Sequence, residues 1–179
     1  MERALRDFGD KSQSATISLV YCADHGLQVE GKNYLLPVDA HIRKRRDLNY
    51  KVIELSTVMA ELQSDKRANI ISLDSCCDNP LMAQYASNYR SIGASRGLAA
   101  PVVSTIGTLI VFAIAPDKVA ADRGTGKHSP YTRTFLCWIG EPNLEIGEVF
   151  RCISQDVVNT TNGQQVPLEN SSLIGGGYT

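Results

Sequence analysis

Thr16-Ile17-Ser18-Leu19-Val20-Tyr21-Cys22, followed at once by Ala23-Asp24-His25-Gly26, is the stretch on which the reading of this chain turns. The run is β-branched and aromatic and too brief for a helix, so it predicts a buried strand ending in a polar turn with a glycine. Asn69-Ile70-Ile71-Ser72-Leu73 is a second run of the same kind, broken by Asp74-Ser75-Cys76-Cys77-Asp78-Asn79-Pro80. Thr108 to Ala115 is a third, stopped by Pro116. Near-continuous apolar strands belong to parallel sheets covered on both faces. Leu27-Gln28-Val29 and Asn33-Tyr34-Leu35-Leu36 flank Glu30-Gly31-Lys32 as a hairpin. Val52, Leu55, Val58, Met59 and Leu62 share one face of a helix expected within 49–64. Residues 2–13, with Leu5 and Phe8, read as the last turns of an amphipathic helix, and further helices are expected at 131–139 and 145–158. These elements predict an α/β domain with a mostly parallel sheet flanked by helices. Right-handed crossovers then bring the ends of the first two strands to one edge, the side on which open α/β sheets bind ligands.

The chain has 179 residues and a mass of 19.5 kDa, which suits a single domain over 1–179. The small, polar stretch 81–104 is expected to be a flexible connection, and the tail 162–179 to pack weakly. Apolar residues make up 43%, enough for a core. Eighteen Lys and Arg against nineteen Asp and Glu leave a formal net charge of -1, which removes the electrostatic footprint of a nucleic-acid binder. Arg43-Lys44-Arg45-Arg46 reads as a solvated connector. No run approaches the roughly 18 apolar residues of a membrane span, and Met1-Glu2-Arg3-Ala4-Leu5-Arg6 lacks the apolar stretch of a secretory signal. Five cysteines, an odd number, make a poor disulfide framework, so a reducing cytoplasm is the expected compartment. Outside a secretory route the acceptor patterns at Asn159 and Asn170 have no use.

His25 comes after the first strand and Cys76 after the second, so the topology sends both to one crevice. A thiol beside an imidazole is the smallest constellation for nucleophilic catalysis on a carbonyl. Gly26 lets the backbone approach a substrate and leaves an N–H for an oxyanion. A lone cysteine is more often an apolar filler than a nucleophile; its place after a strand is what argues for chemistry. His41 lies in a charged stretch, and His128 is a second candidate partner for the thiol. The same residues have a metal reading, with Cys22, His25, Cys76 and Cys77 as zinc ligands. Adjacent cysteines point apart and the spacing departs from that of structural zinc sites, which disfavours it. Arg123-Gly124-Thr125-Gly126-Lys127 lacks the five-residue spacing of a phosphate loop, and His128 stands where its hydroxyl belongs.

Taken together, Val20 to Val29 and Gly31 to Ala40 resemble the histidine motif of prokaryotic caspase-like peptidases, relatives of metacaspases, paracaspases and caspases. Leu73-Asp74-Ser75-Cys76-Cys77-Asp78-Asn79-Pro80 is similar to their nucleophile motif. Gly107 to Pro116, Ser129-Pro130-Tyr131-Thr132 and the segments around Val166-Pro167 and Gly175-Gly176 are similar to the later strand, helix and closing segment of that family. In caspases the histidine precedes the cysteine by about 50 residues, as it does here. The resemblance implies a three-layer caspase-like fold and a cysteine endopeptidase without a required cofactor, with calcium activation left open. Cys76 would be the nucleophile and His25 the general acid/base, with the backbone N–H groups of Gly26 and Cys76 as the oxyanion hole. Caspases proper carry Gln two residues before the cysteine. Asp74 stands there, as in metacaspases, which implies a pocket that attracts Arg or Lys and repels Asp. Arg90 and Arg96, in the segment where caspases are cut between subunits, become candidate self-cleavage sites.

Two departures set further expectations. Asp24 stands where the family has a small residue, and its charge could bear on the imidazole or crowd the site. The family's opening strand, helix and strand have no counterpart here, so the chain reads as N-terminally truncated, and the histidine strand would keep an open edge. A homodimer or a partner chain completing the sheet is then implied, and a catalytically silent interaction module is the alternative to a peptidase acting on proteins or peptides.

Overall fold

The computed structural model describes residues 1–42, 44–64, 66–75, 94–95, 98–99, 106–115 and 127–174. Its main sheet has the order β1-β5-β7-β8, built from β1 (Ile17–Cys22), β5 (Ala68–Leu73), β7 (Thr108–Phe112) and β8 (Leu168–Ser171). β1, β5 and β7 run parallel, and β8 runs antiparallel to β7. All residues of the two central strands are buried, which is why their sequences are apolar without alternation.

Side chains still sort by the two-residue period of a strand. Ile71, Leu73, Ile110 and Phe112 face a layer built from α1 (Glu2–Lys11) and α3 (Leu55–Leu62), anchored by Leu5, Val58 and Leu62. Ile70, Leu109 and Val111 face the opposite way, onto α4 (Pro130–Trp138) and α5 (Ile146–Thr160), where Tyr131, Phe135, Phe150 and Ile153 fill the core. The mostly parallel, helix-covered three-layer sheet expected from the sequence is the observed architecture. Among the described residues no helix is long and apolar enough to cross a membrane.

A second, antiparallel sheet has the order β4-β3-β2-β6, from β2 (Gly26–Val29), β3 (Lys32–Leu35), β4 (Ile53–Glu54) and β6 (Ala94–Ser95). The β2–β3 hairpin turns through Glu30 and Gly31, with φ of 50° and 78°. Gly31 takes that conformation without a Cβ penalty.

Two expectations need correction. The single helix over 49–64 is split into α2 (Leu48–Lys51), β4 and α3. Val52 is extended at φ -134°, ψ 164°, and Ile53 and Glu54 pair with Leu35 and Tyr34, so the β-branched pair Val52-Ile53 serves a sheet edge. The tail expected to pack weakly instead supplies β8 over part of 162–174. Gln165 is fully buried, its Nε2 donates to the Ala113 carbonyl at 2.8 Å, and Ala115 N–H donates to Val166 O at 2.9 Å. The connection expected near 81–104 lies mostly outside the described residues; within it Ala94–Ser95 pairs with β2.

At the amino ends of the strands, Arg67 is 2% exposed. It donates to Asn69 Oδ1 at 2.8 Å, to Leu62 O at 3.1 Å and to Ser12 O. Ser12 caps α1 and Leu62 ends α3, so the guanidinium gathers two helix C-termini, where the backbone dipoles favour a cation. Arg67→Met should therefore lower stability by about 2–4 kcal/mol in urea unfolding, because it strands buried acceptors. A loss below about 0.5 kcal/mol would show that this charge is dispensable.

Candidate active site

The parallel register of β1 and β5 places Cys22 opposite Leu73, and the ladder continues one step further, with Asp74 N–H donating to Cys22 O at 2.8 Å. On the other side Ala113 N–H donates to Leu73 O at 2.9 Å. Both chains therefore leave the sheet side by side, one into Ala23-Asp24-His25 and the other into Asp74-Ser75.

His25 is held by its backbone. Its N–H donates to Asp24 Oδ1 at 2.7 Å, and its carbonyl accepts Leu36 N–H at 3.0 Å. Asp24 thus shapes the turn by capping the peptide that carries the imidazole. In an antiparallel ladder a hydrogen-bonded pair alternates with a non-bonded one, so the Gly26 N–H points away from β3. The imidazole itself is not consumed by the scaffold. Its Nδ1 is buried and has no hydrogen-bond partner among the described residues, a costly arrangement unless the atom has another use.

Gly26 shows how close the two strand ends come. A Cβ on it would lie 3.3 Å from Ser75 Cβ and 3.0 Å from Leu98 Cδ2. Only a glycine fits there without displacing a neighbour. Ser75 is the residue before Cys76 in sequence, and the histidine turn packs against it. Cys76 itself, Cys77, Arg90 and Arg96 lie outside the described residues.

Asp74 is 9% exposed. Its Oδ2 accepts the hydroxyl protons of Ser129 and Thr132, from the N-terminus of α4. Ser129 is the N-cap, its Oγ accepting Thr132 N–H at 2.9 Å, and Pro130 occupies the first turn. The carboxylate sits where the helix dipole favours an anion. Tyr21 OH lies 2.5 Å from Thr132 Oγ1, which extends the network to β1. Neither Ser129 nor Thr132 carries a role in the sequence reading; Ser-Pro three residues before Thr was a legible N-cap, but nothing local said that a carboxylate about 55 residues upstream would meet it.

Burial pushes the Cys22 thiol up to about 11, with the nearby charges of Asp24 and Asp74 adding to it. Burial also raises Tyr21, and Asp74 contributes there too. Cys22 packs against the α1–α3 face of the core, a setting for an inert thiol. No group of three His, Cys, Asp or Glu among the described residues could hold a metal, although two ligands of the zinc reading, Cys76 and Cys77, lie outside them. His41 and His128 are exposed, whereas His25 is half-buried.

Comparison with known proteins agrees with this architecture. No curated protein matches the sequence. Among solved structures the chain is similar to the Drosophila initiator caspase Dronc, with a TM-score of 0.60 and 16% identity, covering 95% of this chain and 59% of that one. At that identity the likeness is one of fold, and the chain spans about three fifths of the length of the caspase it matches. The caspase domain (Peptidase_C14) matches residues 1–175. With its helix-covered, mostly parallel sheet, the chain belongs to the caspase domain family of cysteine peptidases.

Proposed function

We propose that this chain is a cysteine endopeptidase that cuts after Arg or Lys, with Cys76 as nucleophile and His25 as general acid/base. The observation that supports it best is the buried Nδ1 of His25, without a partner among the described residues, on a turn packed against the residue before Cys76. A scaffold imidazole normally has its nitrogens satisfied. One left open is available to exchange a proton with the thiol proposed here as its partner.

The reaction runs as an acyl transfer. The Cys76 thiol gives its proton to His25, and the thiolate attacks the carbonyl carbon of the scissile peptide. Negative charge collects on the carbonyl oxygen, which the backbone N–H groups of Gly26 and Cys76 stabilise. The imidazolium then protonates the leaving nitrogen as the C–N bond breaks, leaving a thioester on Cys76. Water, deprotonated by His25, attacks the thioester, and the thiolate leaves. Asp74 supplies the negative charge for the basic residue before the cut, and its fixed position supports selectivity over an acidic one. The setting proposed is cytoplasmic, and the substrates are proteins or peptides.

Peptides ending in Arg, Lys or Asp before a fluorogenic leaving group provide the test. The parent should cleave the basic peptides, and Cys76→Ala and His25→Ala should each lose at least about 10³-fold in kcat/KM. Asp74→Asn should lower kcat/KM for the Arg peptide by about 10²-fold. Turnover of the Asp peptide in preference would refute the role given to Asp74. Absence of turnover by the parent would favour a binding module instead.

The same specificity extends the proposal to the chain itself, at Arg90 and Arg96. Mass spectrometry of purified protein should show fragments ending at one of them, absent from Cys76→Ala. An intact mass under conditions where peptides are digested excludes self-processing.

A further inference from the structure

The clamp on Asp74 contains more than an anchor for α4. Oδ2 takes two hydroxyl protons, from Ser129 and Thr132, while no described residue donates to Oδ1. A hydroxyl has a single proton. Thr132 gives its proton to the carboxylate, so its oxygen must accept from Tyr21. Ser129 Oγ has Thr132 Oγ1 as a second acceptor at 3.1 Å, but the charged carboxylate is the stronger one, and the serine oxygen meanwhile accepts Thr132 N–H. The Ser129 and Thr132 protons thus both go to one carboxylate oxygen, and the Tyr21 proton goes to Thr132 behind them.

The donors stand on rigid supports. Ser129 and Thr132 belong to the first turn of a capped helix, and the Tyr21 ring stacks on Phe135 with centroids 4.8 Å apart. A carboxylate held only for structure at a helix N-terminus commonly takes backbone N–H groups. Here the backbone N–H of Thr132 goes to Ser129 instead, and the carboxylate is met by side-chain hydroxyls alone among the described residues.

We propose that Ser129, Thr132 and Tyr21 are positioning residues for substrate selection, fixing Asp74 through Oδ2 so that Oδ1 is presented to the basic side chain. The inference rests on the function proposed above, because it takes Asp74 as the group that receives that side chain. The hydroxyls hold the carboxylate in one rotamer before substrate arrives, so no ordering cost is incurred on binding.

The test uses agmatine, a guanidinium without a scissile bond, in the Cys76→Ala protein, so that binding is read apart from catalysis. Agmatine should displace the carboxyl ¹³C resonance of Asp74. Thr132→Val should weaken agmatine binding about tenfold and Ser129→Ala by a similar factor, whereas Thr132→Ser restores it to within about twofold. Tyr21→Phe removes only the outermost proton and should cost about threefold, which keeps the test available if the valine variant does not fold. Variants that keep the parent's melting curve and bind agmatine as it does would reduce the clamp to a structural device and overturn the proposal. So would an Asp74 resonance that agmatine leaves unmoved, even if the parent cleaves Arg peptides. Should agmatine behave as expected while the parent cleaves no basic peptide, the clamp stands and the peptidase reading falls.

Discussion

The parallel pairing of β1 with β5, in the register that sets Cys22 against Leu73, is the constraint on which the rest of the site depends. Parallel strands have their carboxyl ends on one side, and the bond from Asp74 N–H to Cys22 O carries the pairing past the last residue of either strand. Two segments far apart in sequence therefore leave the sheet as neighbours. A shift of one residue would exchange the layers that Tyr21 and Cys22 face and separate the histidine turn from Ser75.

The same alternation distributes the work between layers. Cys22 and Leu73 face the α1–α3 layer and are apolar or held neutral there. Tyr21 faces α4 and α5 and brings its hydroxyl to the amino end of α4. Ser72, fully buried in the central strand, is matched by Tyr131 OH at 2.7 Å, so the polar atoms on this face are paired across the layer boundary. α4 is thereby fixed to the sheet side through Ser72, Tyr21 and Asp74.

The chain's own residues announced much of this. The three apolar runs became β1, β5 and β7; β5 and β7 are buried throughout, as a strand covered on both faces requires. β1, expected to be buried, is half-buried apart from Ser18, and the third strand ends at Phe112. Glu30-Gly31 announced the hairpin, since a left-handed turn needs a residue that tolerates it. The break at Val52-Ile53 was not legible, because helical periodicity survives a two-residue strand that keeps the same apolar face inward. β8 was missed for a related reason: Leu168-Glu169-Asn170-Ser171 is a half-exposed edge whose place depends on a partner strand. At the candidate site, the position of His25 and Gly26 just after β1 was legible in the sequence. The part played by Ser129 and Thr132 was not, because hydroxyls at a helix start have a sufficient local explanation as caps, and only tertiary structure reveals the carboxylate that takes their protons.

The account stands on the proximity of the His25 imidazole to Cys76. With three histidines in the chain, a long-range ¹H–¹⁵N spectrum of the imidazole nitrogens resolves each ring, and Cys76→Ala removes only the sulfur. The account predicts that the ring nitrogens of His25 move between parent and Cys76→Ala while those of His41 and His128 stay in place. A His25 ring indifferent to the loss of that sulfur would contradict it.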